Sequence, residues 1–262
     1  MKYILSIVLL FAVKQSSAQQ VFVTKGKIEF EKQTNMHKEL DESWGDAEDD
    51  NIWKQNYKKI LPKIQNTYFD LYFNEEKTLY KVGREAPQGF QKVPEWMMDR
   101  TTDNIIFNDL KEGKTASQKN VFESNFLIVD SLRKIDWRIT SDTRTIAGIE
   151  CRKAIGKIMD SVYVIAFYTD IIQNTGGPES FTGLPGMILG VAIPRINTTW
   201  FATKIEAINI PILAIGPPLK GKKTDTEKEF KKLIDLYTLY DDKKNPTKVE
   251  DIKKSLYGFL LQ

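Results

Sequence analysis

The sequence predicts a mainly β, single-domain fold. It would be a curved antiparallel meander sheet, with a half-open barrel of the lipoprotein-carrier kind as one form, carrying a helical insertion and two C-terminal helices packed on the sheet. Three observations lead there. Short segments that alternate apolar and polar residues recur along most of the chain, separated by polar turns. Parallel strands would instead need helical crossovers between them. The apolar period lengthens toward that of a helix at about 43–62 and again after 225. No internal repeat or low-complexity linker divides the 262 residues, and β-rich domains often run to about 200–250 residues undivided.

The N-terminus reads as a secretory signal peptide over residues 1–18. Met1-Lys2 form a basic start, Ile4 to Val13 an apolar core, and Ser16-Ser17-Ala18 a small-residue cleavage site. That core is about half the ~20 residues a membrane span requires. The expected mature chain, 19–262, therefore has no transmembrane span and resides in the periplasm or cell envelope. Lys2 and Lys14 leave with the signal, which takes 38 basic residues to 36 against 35 acidic ones. So even a balance argues against a nucleic-acid partner.

The first strand is "KGKIEFEK", where Ile28 and Phe30 alternate with Lys27, Glu29 and Glu31. Trp44, Ile52, Trp53, Tyr57, Ile60 and Leu61 then recur at near-helical spacing up to Pro62, the helical insertion. "NTYFDLYFNEEKTLYKVG" reads as a hairpin turning at about 74–77. Residues 84–104, with Pro87, Gly89 and Pro94, read as a loop with a short helix. Strands follow in "NIIFNDLKEGKTASQ", "VFESNFLIVDS", "KIDWRITSDTRTIAGIECRKAIGK", "SVYVIAFYTD" and "NTTWFATKIEAINI". In the C-terminal helices, at about 225–261, Phe230, Leu233, Ile234, Tyr237 and Tyr240 share one face. Thr226–Glu229 and Thr247–Glu250 have capping-box spacing.

The glycine-rich stretch "SFTGLPGMILGVAIPR" lacks the Lys and the spacing of a phosphate loop. Pro178, Pro185 and Pro194 break it too often for a membrane helix. Pro185-Gly186 suits a type II turn, and "MILGVAI" a strand buried on both faces, with Gly190 at a bulge or a close backbone approach.

Little in the chain supports catalysis. Cys151 and His37 are the only residues of their types, which excludes a His/Cys zinc site, a Cys-x-x-Cys redox pair and a disulfide. Neither a metal nor a cofactor is expected. Cys151 reads as a buried core thiol, because Arg152 and Lys153 are not placed to lower its pKa. Ser161, Ser180 and Thr182 lack a histidine base. Asp160, Asp170 and Glu179 flank apolar strands, and a hydrolase would need two carboxylates converging in a cleft. Tyr163, Phe167, Tyr168 and Trp200 on strands are candidates for lining an apolar or peptide ligand groove, since such rings combine an apolar body with a polar tip.

"IAGIECRKA", "AFYTDI" and "GGPESFTGLPGMILGV", in this order, resemble the GLPGLI family of exported Bacteroidetes proteins over residues 24 to 206. The matching motif positions are Cys151, Lys153, Gly177, Pro178, Gly183, Leu184, Pro185 and Gly186. Met187 replaces a Leu of the name motif, Gly190 an acidic residue, and no Pro follows Asp170 closely. The resemblance implies the fold and the export and carries no activity with it. The expectation is an exported, non-enzymatic binding or envelope-accessory protein with a ligand or an outer-membrane partner. The alternatives are an acid-dependent hydrolase, or a structural subunit of an outer-membrane complex using its C-terminal helices.

Overall fold

The computed structural model describes residues 23–43, 52–85, 100–121, 124–158, 162–209, 211 and 214–240. β1 (Gly26–Asn35) turns the alternation of its sequence into two faces. Ile28 and Phe30 are fully buried, whereas Lys27, Glu29 and Glu31 are half-buried on the other side. Both edges of β1 are used: it pairs with β2 (Ile64–Phe73) and with β11 (Thr198–Glu206).

A meander runs outward from each neighbour. From β2 it continues through β3 (Lys77–Val82), β4 (Ile105–Asp109), β5 (Lys114–Val121) and β6 (Ser124–Ser131). From β11 it runs back through β10 (Met187–Ile193), β9 (Val162–Thr169) and β8 (Ile149–Ile158) to β7 (Arg138–Ile146). A short β12 (Lys222–Thr224) adds in parallel to β6, so that the described strands form one mixed sheet of twelve. Strands β12 and β7 lie at opposite ends of the order, so the sheet stays open. The expected meander architecture is present, and β12 departs from it.

The insertion forms α1 (Met36–Ser43) and α2 (Ile52–Ile60). The side chain of Asn35 caps α1 by accepting from Lys38 N–H at 3.1 Å. Met36 and Leu40 are buried, as is Leu61 just after α2. The predicted apolar face of α2 is not what it buries. Lys54 turns inward to Asp41 at 3.0 Å, and Ile52 and Trp53 stay 66% exposed. Lys58 joins the same carboxylate at 2.6 Å, and these two lysines hold Asp41 below the usual carboxylate range. Trp44 lies outside the described residues.

α3 (Thr226–Tyr240) stands beside β6 and buries Glu229 and Leu233. Its cap is Asp225, whose Oδ1 accepts from Lys228 N–H at 2.9 Å. The cap therefore falls one residue before the expected Thr226, and Glu229 is free to point inward. The second C-terminal helix, the signal segment and most of 84–104 lie outside the described residues; from the last, Arg100–Asp103 forms a 3-10 turn. Among the described residues no helix is long and apolar enough to cross a membrane.

Candidate ligand cavity

The core-facing side of the sheet changes character along its width. Across β1, β2 and β8–β11 it is largely apolar, with Phe30, Phe69, Leu71, Val164 and Trp200 all fully buried and Lys32 of β1 buried over the Trp200 ring at 5.7 Å. Across β4 to β6 it becomes polar. Asn108 of β4 is followed by Thr115, Ser117 and Lys119 of β5, with Ile128 and Asp130 opposite on β6.

The segment 170–186, between β9 and β10, fills the apolar half. Ile172, Phe181 and Leu184 join the core, and Phe181 meets Trp200 at 6.4 Å between ring centroids. Buried loops must satisfy their backbone polar groups internally, and side chains inside and outside the segment do much of that here. Asn174, 1% exposed, donates to the carbonyls of Asn74 and Lys77 and accepts from Gly176 N–H at 2.8 Å. Asn108 Nδ2 donates to Thr78 Oγ1 and to Glu179 O, and Trp137 Nε1 donates to Thr182 O at 2.9 Å.

The end of the segment forms the GLPG turn. The N–H of Gly186 donates to Leu184 O at 2.8 Å, a three-residue ring around Pro185 in place of the expected four-residue type II turn. Gly186 has φ of 144° and backs onto Thr169 O. The strand it feeds, β10, is buried on both faces, and a bulge falls between Ile188 and Gly190.

Where the segment stops filling the concavity, a cavity of about 250 Å³ remains. Its walls are β5 and β6 on the sheet side, Arg133 just past β6, Ser180 of the segment, and Thr226 and Glu229 from the first turn of α3. Burial pushes the Lys119 ammonium down to about 8; the Glu179 carboxylate opposes that shift and the Arg133 guanidinium adds to it. Burial also lowers Arg133, with Asp130 opposing, and a guanidinium stays protonated regardless. Glu229, buried, meets Lys232 at 3.3 Å. The cavity thus gathers cations, carboxylates and hydroxyls around one small polar space.

The four predicted ligand-lining aromatics do not converge. Tyr168 and Trp200 point into the core and are 3% and 0% exposed. Tyr163 and Phe167 lie on the opposite face, because side chains alternate along β9. Tyr163 is exposed, and Phe167 packs with Phe201 at 6.2 Å, with Arg144 over both rings.

The motif residues are spread along the scaffold. Cys151 is buried, and desolvation pushes its thiol up to about 11. Lys153 ion-pairs with Asp142 at 2.9 Å on the exposed side. Gly177 allows the segment to pass Ile188, whose Cβ would lie 2.7 Å from an added methyl. Pro178 O accepts from Phe181 N–H, Gly183 takes a positive φ of 94°, Leu184 is buried and Pro185 exposed.

Of the three expected acids, Asp160 lies outside the described residues. Asp170 lines a second cavity of about 160 Å³ with Glu150 and Arg152, and Glu179 is buried beside Lys119. Among the described residues no three His, Cys, Asp or Glu side chains form a metal-ligating group.

No family model and no curated protein matches the sequence. Among solved structures the chain is similar to PNGF-II in its C2 and P21 crystal forms. Both superpose at a TM-score of 0.50, with 14% and 15% identity, over 79% of this chain and 32% of that one. This chain thus spans about a third of PNGF-II, and at such identity the likeness is one of fold. An uncharacterized conserved protein from Thermus thermophilus superposes at 0.39, with 6% identity, over 79% of this chain and 94% of that one.

Sequence reasoning missed Lys119, Arg133, Ser117 and Glu229. One signal was available: in "KTASQK", Lys119 is in phase with Thr115 and Ser117. That strand is polar on both faces, however, so its alternation could not say which face was inward.

Proposed function

We propose that the protein is an exported, non-enzymatic binding protein of the periplasm or cell envelope, of the GLPGLI kind. Its recognition site is the polar cavity between β5, β6, segment 170–186 and the first turn of α3. The cavity carries this reading: a cleft that holds the buried charges of Lys119 and Glu229 beside a packed apolar core costs stability and is accounted for by a ligand that uses it. The signal-like residues 1–18 and the GLPG segment support the compartment. Binding in place of turnover is favoured because the chain's only histidine is committed elsewhere, with His37 Nε2 against Leu61 O at 3.2 Å. The Ser117 and Ser180 hydroxyls in the cavity therefore have no imidazole base.

Native mass spectrometry of the protein isolated from the envelope fraction tests this. A small-molecule adduct is expected on the wild-type chain and not on Ser117→Trp, whose indole fills the cavity; melting curves verify that the variant is folded. A wild-type chain that carries no adduct, and takes up none from an envelope extract, overturns the reading.

A further inference from the structure

The balance of charges in the cavity wall says which ligands it suits, an inference that rests on the binding-site reading above. Two carboxylates, Asp130 and Glu229, and two cations, Lys119 and Arg133, line it, and Glu229 also meets Lys232 at 3.3 Å. Two negative charges in the wall thus face two positive ones. An anion such as phosphate would face Asp130 and Glu229 across a cavity with no surplus of cations, and a free cation would meet Lys119 and Arg133. A zwitterion would have to part Glu229 from Lys232, or set its ammonium among the cations that share the wall with Asp130. A neutral hydroxyl needs none of this. It donates to a carboxylate and accepts from an ammonium or guanidinium without upsetting the balance, and hydrogen bonds to charged groups are about twice as strong as neutral ones.

The rest of the wall agrees. Ser117, Ser180 and Thr226 offer hydroxyls that both donate and accept, and Ile128 supplies one apolar patch for a C–H surface. A cavity of about 250 Å³ is on the scale of one sugar ring. The geometry points to a single neutral, polyhydroxylated ring, a monosaccharide or one terminal residue of a glycan, as the ligand of this cavity.

Isothermal titration of the full-length mature protein tests the assignment. The probes are glucose, galactose, mannose and N-acetylglucosamine, against glucuronate, inorganic phosphate and glycine. At least one neutral sugar should bind, with an affinity that changes less than about twofold between 50 and 500 mM NaCl, because no net charge is neutralised. Glu229→Gln should weaken that binding by about tenfold or more, since it removes a charged hydrogen-bond acceptor. Ser180→Ala, a milder change, should weaken it several-fold and guards against a misfolded first variant.

Tighter, strongly salt-dependent binding of glucuronate or phosphate would overturn the ligand class. Failure of every probe while the wild-type adduct persists and disappears in Ser117→Trp would also overturn the class, but leave the cavity as the binding site. An adduct that survives Ser117→Trp would overturn both.

Discussion

Gly186 is glycine because nothing larger fits where it sits. A Cβ built there would lie 2.0 Å from Thr169 O, and its φ of 144° is one that side-chain-bearing residues rarely adopt. Strain of about 1–3 kcal/mol and overpacking of about 1–3 kcal/mol should add in Gly186→Val. At roughly 2–4 °C per kcal/mol, calorimetry should show a melting temperature lower by about 10 °C; an unchanged one would remove this account of the turn. The residue was legible from the Pro-Gly pair, but its closest neighbour was not, because Thr169 belongs to the preceding strand. Lys119 has a predictable pH signature. Its native value of about 8 lies below the 10.5 of the free side chain, so between these the unfolded chain holds more protons. The penalty for the buried ammonium is fully present below pH 8 and fades as pH rises toward 10.5. The urea midpoint of the wild type should therefore gain on that of Lys119→Met across about pH 8–10; parallel profiles would place Lys119 in water. Cys151, with its thiol pushed up to about 11, should resist a thiol reagent at about pH 8 until the protein is unfolded.

Among the elements, the segment 170–186 carries the most unexpected structure. Its prolines and glycines read as turns, and turns they are, yet they run through the interior. Asn174 makes that route possible by tying the segment to the carbonyls of Asn74 and Lys77 and to Gly176 N–H. Asn174→Ala would leave the buried Gly176 N–H without this acceptor, at about 1–3 kcal/mol. Hydrogen exchange should then quicken at Gly176 and Ile188, whose N–H groups are bonded to Asn174 and to Gly176 O, while β1 and β2 stay protected. Equal protection in the variant would mean that the segment is held by its apolar residues alone. α3 was legible from its period, since Leu233 falls on the predicted face and is buried, with Phe230 half-buried beside it. Its cap was off by one residue because Asp225 precedes the Thr and competes better for the same amides. The helix α2 was legible as a helix and misleading as a face, because the Lys54–Asp41 pair decides its orientation.

The whole molecule hangs on β1. Among the described strands it alone joins two meanders that each progress locally along the chain, and its pairing with β11 brings together residues no nearer in sequence than Thr34 and Thr198, 164 apart. The two meanders also share the core in which Phe30 is fully buried. Phe30→Ala should therefore cost about 3–5 kcal/mol and loosen both halves together. Tryptophan fluorescence, dominated on the β11 side by Trp200, should give the same urea midpoint as far-UV circular dichroism; separate midpoints would mean that the halves unfold independently. By itself the sequence determined the strands of the two meanders, most turns, the buried β10 and the amphipathic α3, because each depends on residues a few positions apart. The tertiary structure alone decided that segment 170–186 fills the concavity and that Lys119, Arg133, Ser180 and Glu229 surround one cavity. Those groups come from β5, the stretch after β6, the buried segment and α3. Which polar face turns inward is set by the curl of the sheet and by what packs against it, and no local period records either.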